Sequence, residues 1–199
     1  MTAQAGDIFL LKQTLRRQAR TRRLQLSAAT RQHAAQAAAQ QALRALRARG
    51  VRMVSAYLET GSELSTAPLL AALHATGIRI ALPCTLADAR LCFVRWRPGE
   101  RLRHKRHGIR EPARRGARLL RHQLDVMLLP LLGFDAHGTR LGAGGGYYDR
   151  YLQTPRPLRR PLLVGYAYAI QEFDTLPREP WDVRLDAVLS ERGWRWLTG

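Results

Sequence analysis

The sequence predicts a single α/β domain over residues 1–199, layered around a largely parallel sheet. Two patterns carry that expectation. Short apolar, β-rich runs recur between stretches with helical signals, and the longest glycine run sits between one such strand and a new helix. A chain of 199 residues that is 46% hydrophobic can also bury one substantial core.

Each element has its local reason. Asp7 is placed to cap a helix from Ile8 to Leu24, and Ser27 a second from Ala28 to Arg49, with Gly50 as its stop. Val51 to Leu58 is β-rich and leads into the polar loop Glu59 to Glu63. Thr66 with Pro68 starts a third helix that Gly77 ends, because proline suits an early helical position. Ile78–Pro83, Leu91–Trp96, Asp125–Leu129, Leu162–Ala167 and Ala187–Leu189 follow as strands. Arg97 to Arg118 reads as a long irregular segment with the basic run Arg101-Leu-Arg-His-Lys-Arg-His107, and a compact domain seldom keeps such a segment without a use. Arg101–Arg110, including Lys105, is either a loop that contacts an anion or simply a solvated basic loop. Thr154–Pro161 reads as a loop between elements, and Trp194 and Trp196 as terminal packing.

Composition narrows the function classes. The formal charge of +18 suggests a polyanionic partner, yet the basic residues are almost all Arg, with Lys only at 12 and 105, and Ala and Leu are heavily used. That pattern fits a compositional bias on an ordinary enzyme surface, so nucleic acid is not the expected partner. No run approaches the roughly 20 apolar residues of a membrane span. The opening lacks the layout of a secretory signal, and the expectation is a cytoplasmic monomer. Cys84 and Cys92 fit no metal spacing and read as reduced core residues, while His104, His107 and His137 read as surface.

The chemistry concentrates in Arg140-Leu-Gly-Ala-Gly-Gly-Gly-Tyr-Tyr-Asp149. Glycines let backbone N–H groups approach an anion, and a helix starting at Tyr147 would aim its N-terminal dipole at the same place. The spacing is neither the dinucleotide fingerprint nor a Walker loop. As local physics alone, a glycine cluster is more often a turn than a ligand site. Arg140 adds a charge-assisted donor and Asp149 a carboxylate that can hold a hard cation against phosphate oxygens, or merely favour the helix start.

Taken together, Leu141-Gly-x-Gly-Gly-Gly-Tyr-Tyr-Asp-Arg150 resembles the signature of the 5-formyltetrahydrofolate cyclo-ligase family. Lys12-Gln-Thr-Leu-Arg16 resembles its N-terminal block, Tyr57-Leu58 with Glu63-Leu-Ser-Thr66 its second, Gly108-Ile-Arg-Glu-Pro112 its third, and Glu179-Pro-x-Asp-Val-x-Leu-Asp186 its closing block. Order and spacing hold over roughly residues 8 to 190. The resemblance implies a three-layer α/β/α, Rossmann-like domain with additional N-terminal helices. It implies ATP contacts from Lys12, Gln13, Thr14, Leu15, Arg16, Arg140, Leu141, Gly142, Ala143, Gly144, Gly145, Gly146, Tyr147 and Tyr148. It implies folate contacts from Leu58, Glu63, Ala143, Gly144, Gly145, Gly146 and Tyr147, Mg²⁺ ligation by Asp149 and Asp186, and catalytic roles for Lys12, Arg140 and Asp149.

The implied reaction transfers the γ-phosphoryl group of ATP to the formyl oxygen of 5-formyltetrahydrofolate. N10 then attacks the activated carbon, and 5,10-methenyltetrahydrofolate, ADP and phosphate result. Ser65 and Ala143 depart from the family's usual residues and touch on substrate affinity more than on activity. Two rival readings are a nucleic-acid module, which leaves the glycine run unused, and a non-catalytic sensor of phosphorylated small molecules, which would not need both aspartates.

Overall fold

The computed structural model describes residues 2–86, 90–105, 108–113, 116–153 and 160–198. Its centre is an eight-stranded sheet. β1 (Met53–Ser55), β2 (Arg79–Thr85), β7 (Val126–Leu129), β10 (Leu162–Tyr166) and β11 (Ala187–Ser190) run parallel. β3 (Leu91–Trp96), β6 (Arg118–Leu119) and β12 (Gly193–Trp196) are antiparallel additions at the two edges. The order is β12-β11-β10-β7-β1-β2-β3-β6, so the chain leaves β1 toward β2 on one side and returns to β7 on the other. Ligands in open α/β sheets bind at the carboxyl ends of strands beside such a reversal.

Strict alternation along the strands splits the core between the two faces of the sheet. Val54, Ile80, Leu82, Val126, Leu128, Val164 and Leu189 pack under α2 (Ala28–Ala48) and α3 (Ala67–Ala75). Met53, Ala81, Phe93, Met127, Leu129, Leu163 and Val188 face the other way, where α4 (Tyr147–Gln153) brings Tyr148, Tyr151 and Leu152. Gly165 lies on this second face, and a Cβ there would come within 2.5 Å of Leu131 and 2.9 Å of Leu185 and Val188. Of the two N-terminal helices, α2 belongs to the layer over the sheet. Its alanines Ala34, Ala35, Ala38, Ala39 and Ala42 are all buried, which lets the helix approach closely. The helix α1 (Thr2–Leu24) packs instead through Ala19 and Leu15 against Leu132, Leu141, Phe173 and Leu176.

Ser27 caps α2 by accepting a hydrogen bond from Thr30 N at 3.0 Å, as its position predicts. Asp7 is not a cap: α1 starts at Thr2, and Asp7 lies inside it. Arg97–Arg118 is not irregular throughout, since β4 (Leu102–His104) and β5 (Arg110–Pro112) form an antiparallel hairpin. That hairpin is anchored by Glu111, which is 1% exposed, accepts from Thr85 N at 2.9 Å and pairs with Arg103 at 2.9 Å. A second short hairpin joins β8 (Gly133–Phe134) to β9 (Arg140–Leu141) and presents the glycine loop. Its turn is tied by Asp135, whose Oδ1 accepts from His137 N and Thr139 N.

Cys84 and Cys92 face each other across β2 and β3, both buried and unbridged. Trp194 and Trp196 stand edge to face at 5.6 Å in the terminal strand, with Arg49 over both rings. No helix among the described residues is long and apolar enough to cross a membrane. His107 and most of Thr154–Pro161 lie outside the described residues.

Candidate active site

A cavity of about 770 Å³ opens at the carboxyl ends of β1, β2 and β7, where the strand order reverses. Its floor comes from the residues that follow those strands, Tyr57 and Leu58 after β1 and Pro130 and Leu131 after β7. One wall is the whole stretch from Arg140 to Tyr148, and the facing wall is α1.

The glycine loop is shaped for close approach. Gly144 and Gly146 take φ values of 108° and 63°, in the left-handed region where a side chain is strained, and the loop delivers the chain into the first turn of α4. Arg140 is buried, and its Nη2 contacts both oxygens of Asp149 at 2.7 and 2.8 Å while Nη1 donates to Pro130 O at 3.2 Å. Arg16 reaches across from α1 and donates to Gly142 O at 3.0 Å. Lys12, one helical turn earlier and 6% exposed, binds Glu179 at 2.6 Å and Asp182 at 2.5 Å. Lys12 and Arg16 are four residues apart, so they share a helix face. Gln13, Thr14 and Leu15 fall on other faces and do not line the cavity. Thr14 bonds its own helix at Leu10 O, and Leu15 packs in the cluster around Ala19.

Asp186, expected as a metal ligand, is also placed away from the cavity. It precedes β11, at the opposite end of the sheet, where Arg160 grips it at 2.7 and 2.6 Å and Leu163 N donates to it. The carboxylate that reaches the cavity from the same stretch is Asp182, four residues earlier, with Glu179 beside it. Val183 N donates to Asp149 Oδ1 at 3.2 Å, which ties this stretch to the glycine loop. Asp149, expected as one metal ligand, thus faces the cavity together with Asp182, whereas Asp186, expected as the other, does not. The closing block contains both aspartates, and only the chain path from Glu179 to β11 decides between them.

The opposite lobe carries Glu63. Its Oε2 accepts from Thr60 N at 2.9 Å and from Thr60 Oγ1 at 3.3 Å. Burial pushes its carboxyl above the usual carboxylate range, against the opposing pull of the Thr60 amide and Arg23. Burial likewise raises the Tyr148 phenol, against the pull of Arg140 and with a smaller push from Glu63. Neighbouring Glu59 is the reverse case: burial raises it, but hydrogen bonds from Thr66 and Ser65 outweigh that and leave it lowered. Apolar wall comes from Pro83, Leu91 and Ile109, and exposed Trp181 and Phe9 stand at the rim. Arg110, from the hairpin that the sequence did not reveal, also faces the cavity.

The chemistry of this set is divided. At one end are an arginine–carboxylate pair, a lysine, a second arginine and a bent glycine backbone, which suit phosphate. At the other, a half-buried carboxylate beside apolar wall suits a flat heteroaromatic with N–H donors. The fold and this cavity define a layered α/β protein with one divided pocket at the switch point of its sheet. The sequence model of the 5-formyltetrahydrofolate cyclo-ligase family matches residues 10–191. A 5-formyltetrahydrofolate cyclo-ligase of Haemophilus influenzae is 33% identical over 181 residues, covering 89% of this chain and 96% of its own length. Among solved structures, the Aquifex aeolicus 5,10-methenyltetrahydrofolate synthetase superposes with a TM-score of 0.76 at 29% identity, covering 95% of this chain and 94% of its own. The Mycoplasma pneumoniae 5,10-methenyltetrahydrofolate synthetase does so with a TM-score of 0.72 at 27% identity, covering 90% and 98%. The chain belongs to the 5-formyltetrahydrofolate cyclo-ligase family and is a ligase-class enzyme.

Proposed function

We propose that the chain converts 5-formyltetrahydrofolate to 5,10-methenyltetrahydrofolate with consumption of ATP, and that ATP and the folate occupy the two lobes of this cavity. The observation that carries the reading is the joining of a phosphate-suited lobe and a lobe holding the half-buried Glu63 carboxylate in one cavity at the switch point of the sheet.

The N5-formyl group is an amide, a poor electrophile whose oxygen leaves badly. Phosphorylating that oxygen makes it a leaving group, and attack by N10 then closes the ring. In this proposal Lys12, Arg16 and the glycine amides hold the triphosphate, and Arg140 orients Asp149 while adding positive charge. Glu63 accepts hydrogen bonds from the pterin edge. Leu58 and Tyr147 pack on the rings, so N10 and the formyl carbon are kept close and ring closure gains from proximity.

Two carboxylates, Asp149 and Asp182, fit Mg²⁺, which commonly takes one or two carboxylates and completes its shell with phosphate oxygens and water. Their side chains are 17% and 15% exposed at the cavity wall. Among the described residues no cluster of three or more acidic, His or Cys groups could hold a metal unaided, so the nucleotide would have to help. When bound, the ion would neutralise phosphate charge.

The test is purified protein with 5-formyltetrahydrofolate, ATP and Mg²⁺, followed by the near-ultraviolet absorbance of the methenyl product. Turnover is expected, and Asp149→Asn should remain folded while losing most of it. Absence of product with folded wild-type protein would sink the folate reading.

A further inference from the structure

Arg110 has donors that its surroundings leave unused. It stands on β5, in the hairpin that Glu111 fixes to Thr85 N, and its side chain lines the cavity beside Ile109. Its two polar contacts are long: Nη2 lies 3.4 Å from Glu59 O and 3.9 Å from Glu59 Oε1. Arg103 on the same hairpin is bonded at 2.9 Å, and Arg140 at 2.7 and 2.8 Å, the usual lengths for a guanidinium on a carboxylate. Glu59 is not free to close on Arg110. Ser65 Oγ holds one of its oxygens at 3.1 Å, and Thr66 holds the other through N at 3.2 Å and Oγ1 at 2.7 Å. Among the described residues Nε and Nη1 of Arg110 have no hydrogen-bond acceptor. A planar fork of five donors with one distant acceptor is open to an acceptor atom brought into the cavity.

One peptide sets where that fork stands relative to Glu63. The carbonyl of the Glu59–Thr60 peptide accepts from Arg110 Nη2, and its N–H donates to Glu63 Oε2 at 2.9 Å. The guanidinium and the carboxylate therefore flank a single rigid plane and lie no more than about 9 Å apart. Both line the cavity, and Glu63 Oε1 accepts no hydrogen bond from a described residue. A donor and an acceptor at that separation match a ring edge in which an N–H sits next to a C=O, since such an edge with one hydrogen bond at each end spans roughly 8 Å.

We infer that Arg110 is a specificity-determining residue, which selects the heterocycle by donating to the ring carbonyl beside the N–H that Glu63 accepts. The inference rests on the folate assignment of the lobe. Along one edge of the tetrahydropterin ring the 2-amino group and N3–H are donors and the C4 oxygen is an acceptor. With Glu63 on the donors, the C4 oxygen falls to Arg110. A 4-amino ring reverses both partners: its amino group would face the guanidinium, and its unprotonated N3 would face the carboxylate. Sites built on such bonds reject the mismatched ring, because each group left unpaired has lost its water without replacement.

The experiment titrates 5-formyltetrahydrofolate and its 4-amino-4-deoxy analogue calorimetrically into full-length wild type, Arg110→Lys and Arg110→Met, with Mg²⁺ and a non-hydrolysable ATP analogue present. Wild type should bind the 4-oxo compound at least roughly a hundredfold more tightly. In Arg110→Met the Kd of 5-formyltetrahydrofolate should rise roughly thirtyfold, the size of one lost charge-assisted bond, while the 4-amino compound binds as well as before or better. Arg110→Lys should recover part of the preference, because an ammonium still donates to one oxygen. The ATP KM and the melting temperature should stay near wild type, since the present contacts of Arg110 are long and partly exposed. Equal weakening of both ligands would assign Arg110 to holding the Glu59 loop and overturns the inference, as does wild type that binds the two rings alike. Wild type that turns over 5-formyltetrahydrofolate while Arg110→Met keeps the full preference sinks the inference and leaves the folate reading standing. Wild type that neither binds nor turns over the compound sinks both.

Discussion

At the scale of single residues, the separation of Asp182 from Asp186 decides which carboxylate of the closing stretch reaches the cavity. Both lie in one short acidic stretch, yet Asp182 binds Lys12 inside the cavity and Asp186 binds Arg160 and Leu163 N beyond it. Asp182→Asn should therefore lower kcat/KM by at least roughly a hundredfold, because it removes both a proposed Mg²⁺ ligand and an anchor of Lys12. Asp186→Asn should leave kcat/KM within about twofold and cost about 1 kcal/mol in urea denaturation, since Arg160 is half-exposed and only the Leu163 bond is sheltered. The opposite pattern in the two variants would return the metal to Asp186. The sequence places both aspartates in the same motif and offers no local signal to rank them. Burial against α1 is a property of the folded chain.

At the scale of elements, local chemistry made some pieces legible and long-range pairing hid others. Ser27 before an alanine-rich stretch and Gly50 after it predict α2 to within a residue, because cap and stop are encoded at its ends. The apolar runs from Val126 and Leu162 predict β7 and β10, because strands buried on both faces are continuously hydrophobic. Strand direction is different: β3 is as apolar as its neighbours, and only its pairing with β2 shows it to be antiparallel. The β4–β5 hairpin is hidden because its stability comes from Glu111, held by β2, and not from its own polar sequence. The glycine loop was legible as a cradle, but which glycine matters most follows from its backbone. Gly144 sits at φ 108°, where a Cβ would meet nothing nearer than Arg16 at 3.6 Å, so the obstacle to a side chain is conformational. Gly144→Ala should cost about 1–2 kcal/mol and displace the loop, raising the ATP KM roughly tenfold. Gly50→Ala, at φ 63° beyond α2, should carry a similar stability cost with no change in KM. Equal kinetic effects from the two substitutions would mean that the loop backbone has no special part in binding.

At the scale of the whole molecule, α1 is held differently from the rest. The helix α2 is bound to the sheet by a row of fully buried alanines, whereas α1 has a small apolar contact through Ala19 and Leu15 and is otherwise docked by polar links. Those links are Lys12 to Glu179 and Asp182, Arg16 to Gly142 O, and Arg22 to Glu172 O. Leu10 and Leu11 remain exposed on its N-terminal half, and Phe9 beside them forms part of the cavity rim. Few buried apolar contacts are the mark of a segment that opens at low free energy. The first half of α1 should therefore exchange its amide hydrogens faster than α2 in the free protein. A triphosphate gripped by Lys12 and Arg16 on one side and the glycine loop on the other would bridge α1 to the body and stabilise the docked state by mass action. Hydrogen exchange with Mg²⁺ and a non-hydrolysable ATP analogue should slow residues 9–16 and 142–150 together and leave 34–46 unchanged. Protection of the glycine loop without α1 would show that Lys12 serves its acidic partners and not the nucleotide. In that case Lys12→Met would lower the melting temperature while sparing the ATP KM.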